Sequence, residues 1–105
     1  MKTFVALALL SSSALAYQNG TYRCPQRTPG LPQDIYVVRT IELAEGAYAP
    51  FVDAFRHVGT PPEVRQYRVW GMATVHVSPD GSEVLQIANL NLSFENGRMR
   101  GCFLE

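Results

Sequence analysis

Two arginines, Arg68 and Arg100, lie in segments of strand-like alternation near Gln66, Trp70 and Asn91. Guanidinium forks match the oxygens of carboxylates and phosphates, and amide side chains add donors and acceptors. An indole supplies a flat surface for a base or an apolar side chain. Gathered on one sheet face, these five residues could bind an anion or dock a protein; the plainer reading is a solvated face. A second group, His57, His76 and Glu63, has the types needed for acid–base chemistry. His57 follows an apolar stretch beside Gly59 and reads as a surface loop histidine. His76 reads as a polar cross-strand partner of Glu83. Neither histidine has metal-ligand spacing, and no cofactor is called for.

The elements that would position these groups begin at Val64. In Val64–Val77 the odd positions Tyr67, Val69, Gly71, Ala73, Val75 and Val77 are small, apolar or aromatic, as a half-buried strand requires. Ser78-Pro79-Asp80-Gly81 has turn chemistry, Ser82–Phe94 reads as the next strand, and Asn96-Gly97 is a two-residue hairpin signal leading into Arg98–Leu104. Pairing Val77 with Ser82 and Glu95 with Arg98 gives a three-stranded meander. Its apolar face holds Tyr67, Val69, Val75, Val84, Leu90, Leu92, Phe94, Met99 and Phe103. Its open face holds Gln66, Arg68, Trp70, Met72, His76, Asn89, Asn91, Ser93, Arg100, Cys102 and Leu104. A one-residue slip would exchange the faces, so the register carries the whole prediction. It places Arg68, Asn91 and Cys102 in one cross-strand row and Gln66, Ser93 and Arg100 in the next.

Upstream, Asp34 is a plausible helix cap. Ile35, Val38 and Ile41 recur at helical spacing, and Gly46 closes the segment, so a helix is expected there, with Tyr36–Ile41 as strand the alternative. Pro50–His57 suggests a second short helix or a structured loop. One helix packed on an antiparallel sheet is an α+β domain.

The N-terminus reads as a secretory signal. Lys2, the apolar run Phe4–Leu10 and the small-x-small site Ala14-Leu15-Ala16 place cleavage after Ala16, leaving a single domain over residues 17–105. No later segment could span a bilayer, and a monomer is expected. Lys2 is the only lysine. Removing it from nine basic residues leaves eight arginines against nine acids, a net charge of −1. A general nucleic-acid binder would be strongly basic. In a secreted chain Cys24 and Cys102 read as one disulfide, which would remove about 4–5 kcal/mol of unfolded-state entropy. Asn19-Gly20-Thr21 and Asn91-Leu92-Ser93 are glycosylation sequons. A glycan on Asn91 would cover the open face.

In outline the chain resembles the small fungal guanyl-specific ribonucleases, and more so the ribonuclease-like secreted effectors of plant-pathogenic powdery mildews. The signal peptide, Tyr22-Arg23-Cys24, the expected helix and Cys102 near the end carry the likeness, with the strand Glu63–Val69 and the Phe94–Gly101 hairpin. The resemblance implies a microbial-ribonuclease-like α+β fold with its termini joined by the disulfide. It does not imply the chemistry. The family's Tyr-Pro-His motif falls near Tyr48–Phe51 without a histidine, and its catalytic glutamate falls on Gln66. Its last histidine falls on Glu105, and its arginine near Asn91. What it implies is therefore a catalytically inactive secreted effector that binds a host protein or host RNA. The alternative is an active small ribonuclease built from His57, His76 and Glu63.

Overall fold

Residues 34–60 are a long two-stranded hairpin, not helix and loop. The computed structural model describes residues 17–105, so the expected signal peptide, 1–16, lies outside the described residues. Strand β1 (Gly20–Cys24) is followed by β2 (Asp34–Ala44), β3 (Ala47–Thr60) and β4 (Glu63–Met72). Then come β5 (Thr74–Val77), β6 (Glu83–Ile87), β7 (Leu90–Glu95), β8 (Arg98–Met99) and β9 (Phe103–Leu104). No helix occurs among the described residues, and the expected α+β class is corrected to all-β.

The reason lies in the side chains of β2. The helical spacing of Ile35, Val38 and Ile41 is real, but Ile35, Val37, Val38, Thr40 and Ile41 are β-branched and favour extended backbone. Tyr36 and Val38 are buried while Ile35 and Val37 are half-buried on the other face. Both sides of the strand are therefore partly covered, and the period-2 signal is lost. Gly46, expected to end a helix, makes the β2–β3 turn with φ +79° between the paired Ala44 and Ala47. Pro50–His57 lies within β3.

Two sheets result, one in the order β4-β3-β2-β1-β9 and one in the order β5-β6-β7-β8. They pack as a sandwich. Tyr22, Tyr36, Val38, Val52 and Ala54 from the larger sheet share the core with Leu85, Ile87, Leu90, Leu92, Phe94 and Met99 from the smaller. The ring of Tyr22 meets Phe94 edge-on at 5.6 Å. Fully burying side chains such as Phe94 and Leu85 contributes about 2–3 kcal/mol each. The Cys24–Cys102 disulfide forms and ties the end of β1 to the segment between β8 and β9.

The expected meander is half right. Asn96-Gly97 forms its hairpin with positive φ at both residues, and Glu95 pairs with Arg98 and Phe94 with Met99 as read from the sequence. Ser82–Phe94 is not one strand. It turns at Ala88-Asn89, where Ala88 holds φ +53° and Ile87 pairs with Leu90. An alanine in the left-handed region carries no turn signature, so this hairpin is silent in the sequence. Val64–Val77 is not one strand either: it is split at Ala73 into β4 and β5, and β4 pairs with β3, not with the following strand.

The first turn is also one residue longer than expected. Val77 pairs with Glu83, and Ser78 N–H donates to the Ser82 carbonyl across the loop. Asp80 Oδ1 accepts from the N–H and hydroxyl of Ser82, which lengthens the turn. That single step turns Val84 outward and sends Glu83 into the core.

Candidate open-face binding site

The five residues expected on one face divide between two sheets. Gln66, Arg68 and Trp70 sit on β4, opposite His57, Phe55 and Asp53 of β3. Asn91 sits on β7 opposite Gln86, and Arg100 follows β8, donating its N–H to the Ser93 carbonyl. Asn91 and Arg100 come together with Ser93 around a cleft of about 410 Å³ beside the disulfide. The expected row of Arg68, Asn91 and Cys102 does not form, because β4 does not pair with β7.

The strongest surface feature is the outer face of the five-stranded sheet. The register places Ile35, Val37 and Arg39 of β2 beside Phe51, Asp53 and Phe55 of β3, and those beside Arg68, Trp70 and Met72 of β4. Alternation puts them opposite the buried Val38, Val52 and Ala54. Trp70 is 60% exposed, Met72 57% and Phe103 67%, while Ile35, Val37, Phe51 and Phe55 are half-buried. Arg68, on the edge strand β4, is fixed in place. Its Nε and Nη2 donate to Asp53 Oδ1 and Oδ2, each at 2.8 Å. Its guanidinium lies over Phe55 at 5.1 Å and Trp70 at 5.0 Å. The bidentate bond and charge of Arg68 hold the Asp53 carboxyl below its ordinary range. Arg39 lies over Phe51 at 5.0 Å and makes no ion pair among the described residues. Arg68 and Arg100, expected in adjacent cross-strand rows, are instead each matched to an acid: Arg68 to Asp53, while Arg100 lies 3.9 Å from Glu95.

The acid–base candidates do not converge. His76 on β5 shares a hydrogen bond of 2.9 Å with Gln86 and stands opposite Val84, not Glu83. His57 is on β3, near the hairpin where Glu63 starts β4. Its Nδ1 is 3.4 Å from Asp34 Oδ1, and Arg56 Nε is 3.7 Å from Asp34 Oδ2. Asp34, expected as a helix cap, is a buried carboxylate instead. Its Oδ1 accepts from the His57 backbone N–H at 2.8 Å and from Gln26 Nε2 at 2.9 Å, and the same Gln26 amide donates to the His57 carbonyl. Asp34 thus pins the segment after Cys24 to β3, a structural role that the sequence reading missed.

Asp53, Phe51 and Phe55 were also missed, since they lie in a segment read as helix or loop. Once β3 is recognised as a strand, the alternation Phe51, Asp53, Phe55 is the signal that would have found them. Both sequon asparagines are exposed. Asn91 belongs to the smaller sheet, so a glycan there leaves the Trp70 face open.

These features define a two-sheet antiparallel sandwich, closed by one disulfide, with a partly apolar and aromatic outer face. No family model, curated protein or solved structure matches the chain.

Proposed function

We propose that this is a secreted, disulfide-stapled binding protein that docks another protein on the outer face of its larger sheet. The observation that carries the reading is Arg68, held by Asp53 and stacked between Phe55 and an exposed Trp70. Arg and Trp are enriched at the energetic centres of protein interfaces. A side chain already fixed in place loses little entropy when a partner arrives. Because its fork is occupied by Asp53, Arg68 is poorly disposed to grip phosphate, which favours a protein over RNA. Arg39 and Arg68 against the single carboxylate of Asp53 leave local positive charge on an apolar surface. The partner segment therefore carries apolar or aromatic side chains flanked by a carboxylate.

The setting implied by the sequence resemblance, an effector acting on a host molecule, is part of this proposal. Its support is the leader sequence and the disulfide. Ribonuclease architecture is not part of it, since the α+β fold is absent.

The test is capture from host extract treated with nuclease, comparing wild type with Trp70→Ala and with His76→Ala on the other sheet. A bound protein retained by wild type and His76→Ala but lost with Trp70→Ala supports the reading, and Arg68→Ala should weaken capture less. Capture that disappears with nuclease would assign the face to RNA. Capture indifferent to Trp70→Ala would remove the site from this face.

A further inference from the structure

Among the described residues, Glu83 is the one acid buried with an oxygen that has no partner. The five-residue loop between β5 and β6 turns it inward, where it is 2% exposed, and its Oε1 has no hydrogen bond. Burial pushes its carboxyl up, and no neighbouring charge is among the causes. An unpaired buried polar group costs about 1–3 kcal/mol, and an unpaired charge more. Glu83 also lines a cavity of about 490 Å³ beside the β7–β8 turn, with Gln18, Asp80, Phe94, Glu95 and Asn96. That volume lies within the ordinary range for small-ligand sites.

The neighbouring charges show which group is uncommitted. Asp80 accepts the N–H and hydroxyl of Ser82 on its Oδ1 alone. Glu95 has Arg100 at 3.9 Å and stands opposite Arg98. Among the described residues, no basic side chain lines the cavity or forms an ion pair with Glu83. The walls offer the Phe94 ring as an apolar surface and the Gln18 and Asn96 amides as acceptors. No three acid, histidine or cysteine side chains converge as metal ligands among the described residues. We propose that this cavity binds an amine or guanidinium group, with Glu83 as its carboxylate partner and Asp80 and Glu95 attracting it to the mouth. This site lies away from Trp70 and is independent of the docking reading.

Such a cation could come from a free small molecule or from a lysine or arginine of a bound peptide. The probes are agmatine, which carries an amine and a guanidinium, and a short blocked peptide containing one arginine. Each is titrated into the secreted, oxidised protein at neutral pH and followed by amide NMR. Saturable shifts at Ser82, Asn96 and Gly97 are expected with at least one probe. Glu83→Gln should weaken that binding by about tenfold or more, and Asp80→Asn by only a few-fold. Response to agmatine alone identifies a free-ligand site, and response to the peptide alone identifies a side-chain pocket; both support the proposal. Absence of saturable shifts with either probe would overturn it. So would equal binding by a Glu83→Gln variant whose spectrum shows the native fold, or the same shifts produced only by calcium.

Discussion

Asp34 on the larger sheet and Glu83 on the smaller are both buried carboxyl groups, 6% and 2% exposed, in opposite circumstances. Asp34 accepts a backbone N–H and a glutamine amide and has Arg56 and His57 beside it. Glu83 has an oxygen with no partner. The same burial therefore organises one region and burdens the other. A buried acid with its bonds made fixes a chain path, whereas one without them raises the energy of the folded state until something binds it. The contrast separates structural polarity from polarity available for function.

The largest expected effect removes the tie on which both regions depend. Cys24→Ser opens a link between positions 78 residues apart. It should cost about 4–5 kcal/mol and lower the melting temperature by well over ten degrees. Two free thiols in the wild-type protein would contradict the pairing.

Asp34→Ala comes next. It should cost about 3 kcal/mol, because Gln26 and the His57 N–H lose their acceptor and Arg56 its nearest carboxylate. Hydrogen exchange should quicken at the His57 amide. A melting temperature within two degrees or so of wild type would show that the contrast between the acids is false.

Glu83→Gln should act with the opposite sign. The folded carboxyl titrates above its ordinary value of 4.5, so its contribution is fully present below that value and is lost as pH rises through the folded pKa. The glutamine variant should match wild type in acid and melt several degrees higher at neutral pH. Equal melting at both pH values would mean that the burial carries no cost.

The smallest effect belongs to Asp53 on the open face. Its carboxyl lies below the ordinary 3.8, so it contributes stability above that value and loses it as pH falls through the folded pKa. Arg68→Ala should move the Asp53 titration upward, as read by carboxyl NMR, with little change in melting at neutral pH because Arg68 is exposed and solvent screens the pair. An unmoved titration would mean that Arg68 does not hold Asp53.

Local signals sufficed where the side chains alone set the geometry. Asn96-Gly97 specified its hairpin because those two residues accept positive φ, and the pairing of Glu95 with Arg98 followed from it. The alternation of Leu90, Leu92 and Phe94 named core residues correctly. The exposure of Gln66, Arg68 and Trp70 was also legible, although Tyr67 and Phe103, expected inside, are exposed. Two cysteines in a chain read as secreted predicted the disulfide by count, and it forms.

What the sequence could not decide was which strand lies beside which. Helical spacing in Ile35, Val38 and Ile41 competed with β-branched propensity, and only a neighbouring strand on each side settles that competition. Ala88 turns the chain because Ile87 and Leu90 are both held in the core, a constraint from packing and not from turn chemistry. One added residue in the Ser78–Ser82 loop reversed Val84 and Glu83. A strand's side chains alternate with a period of two, so an error of one in a loop exchanges inside for outside. The exposure of Arg68 and Trp70 was therefore legible in sequence, but Asp53 and Phe55, which hold Arg68, and the burial of Glu83 were decided by the tertiary structure alone.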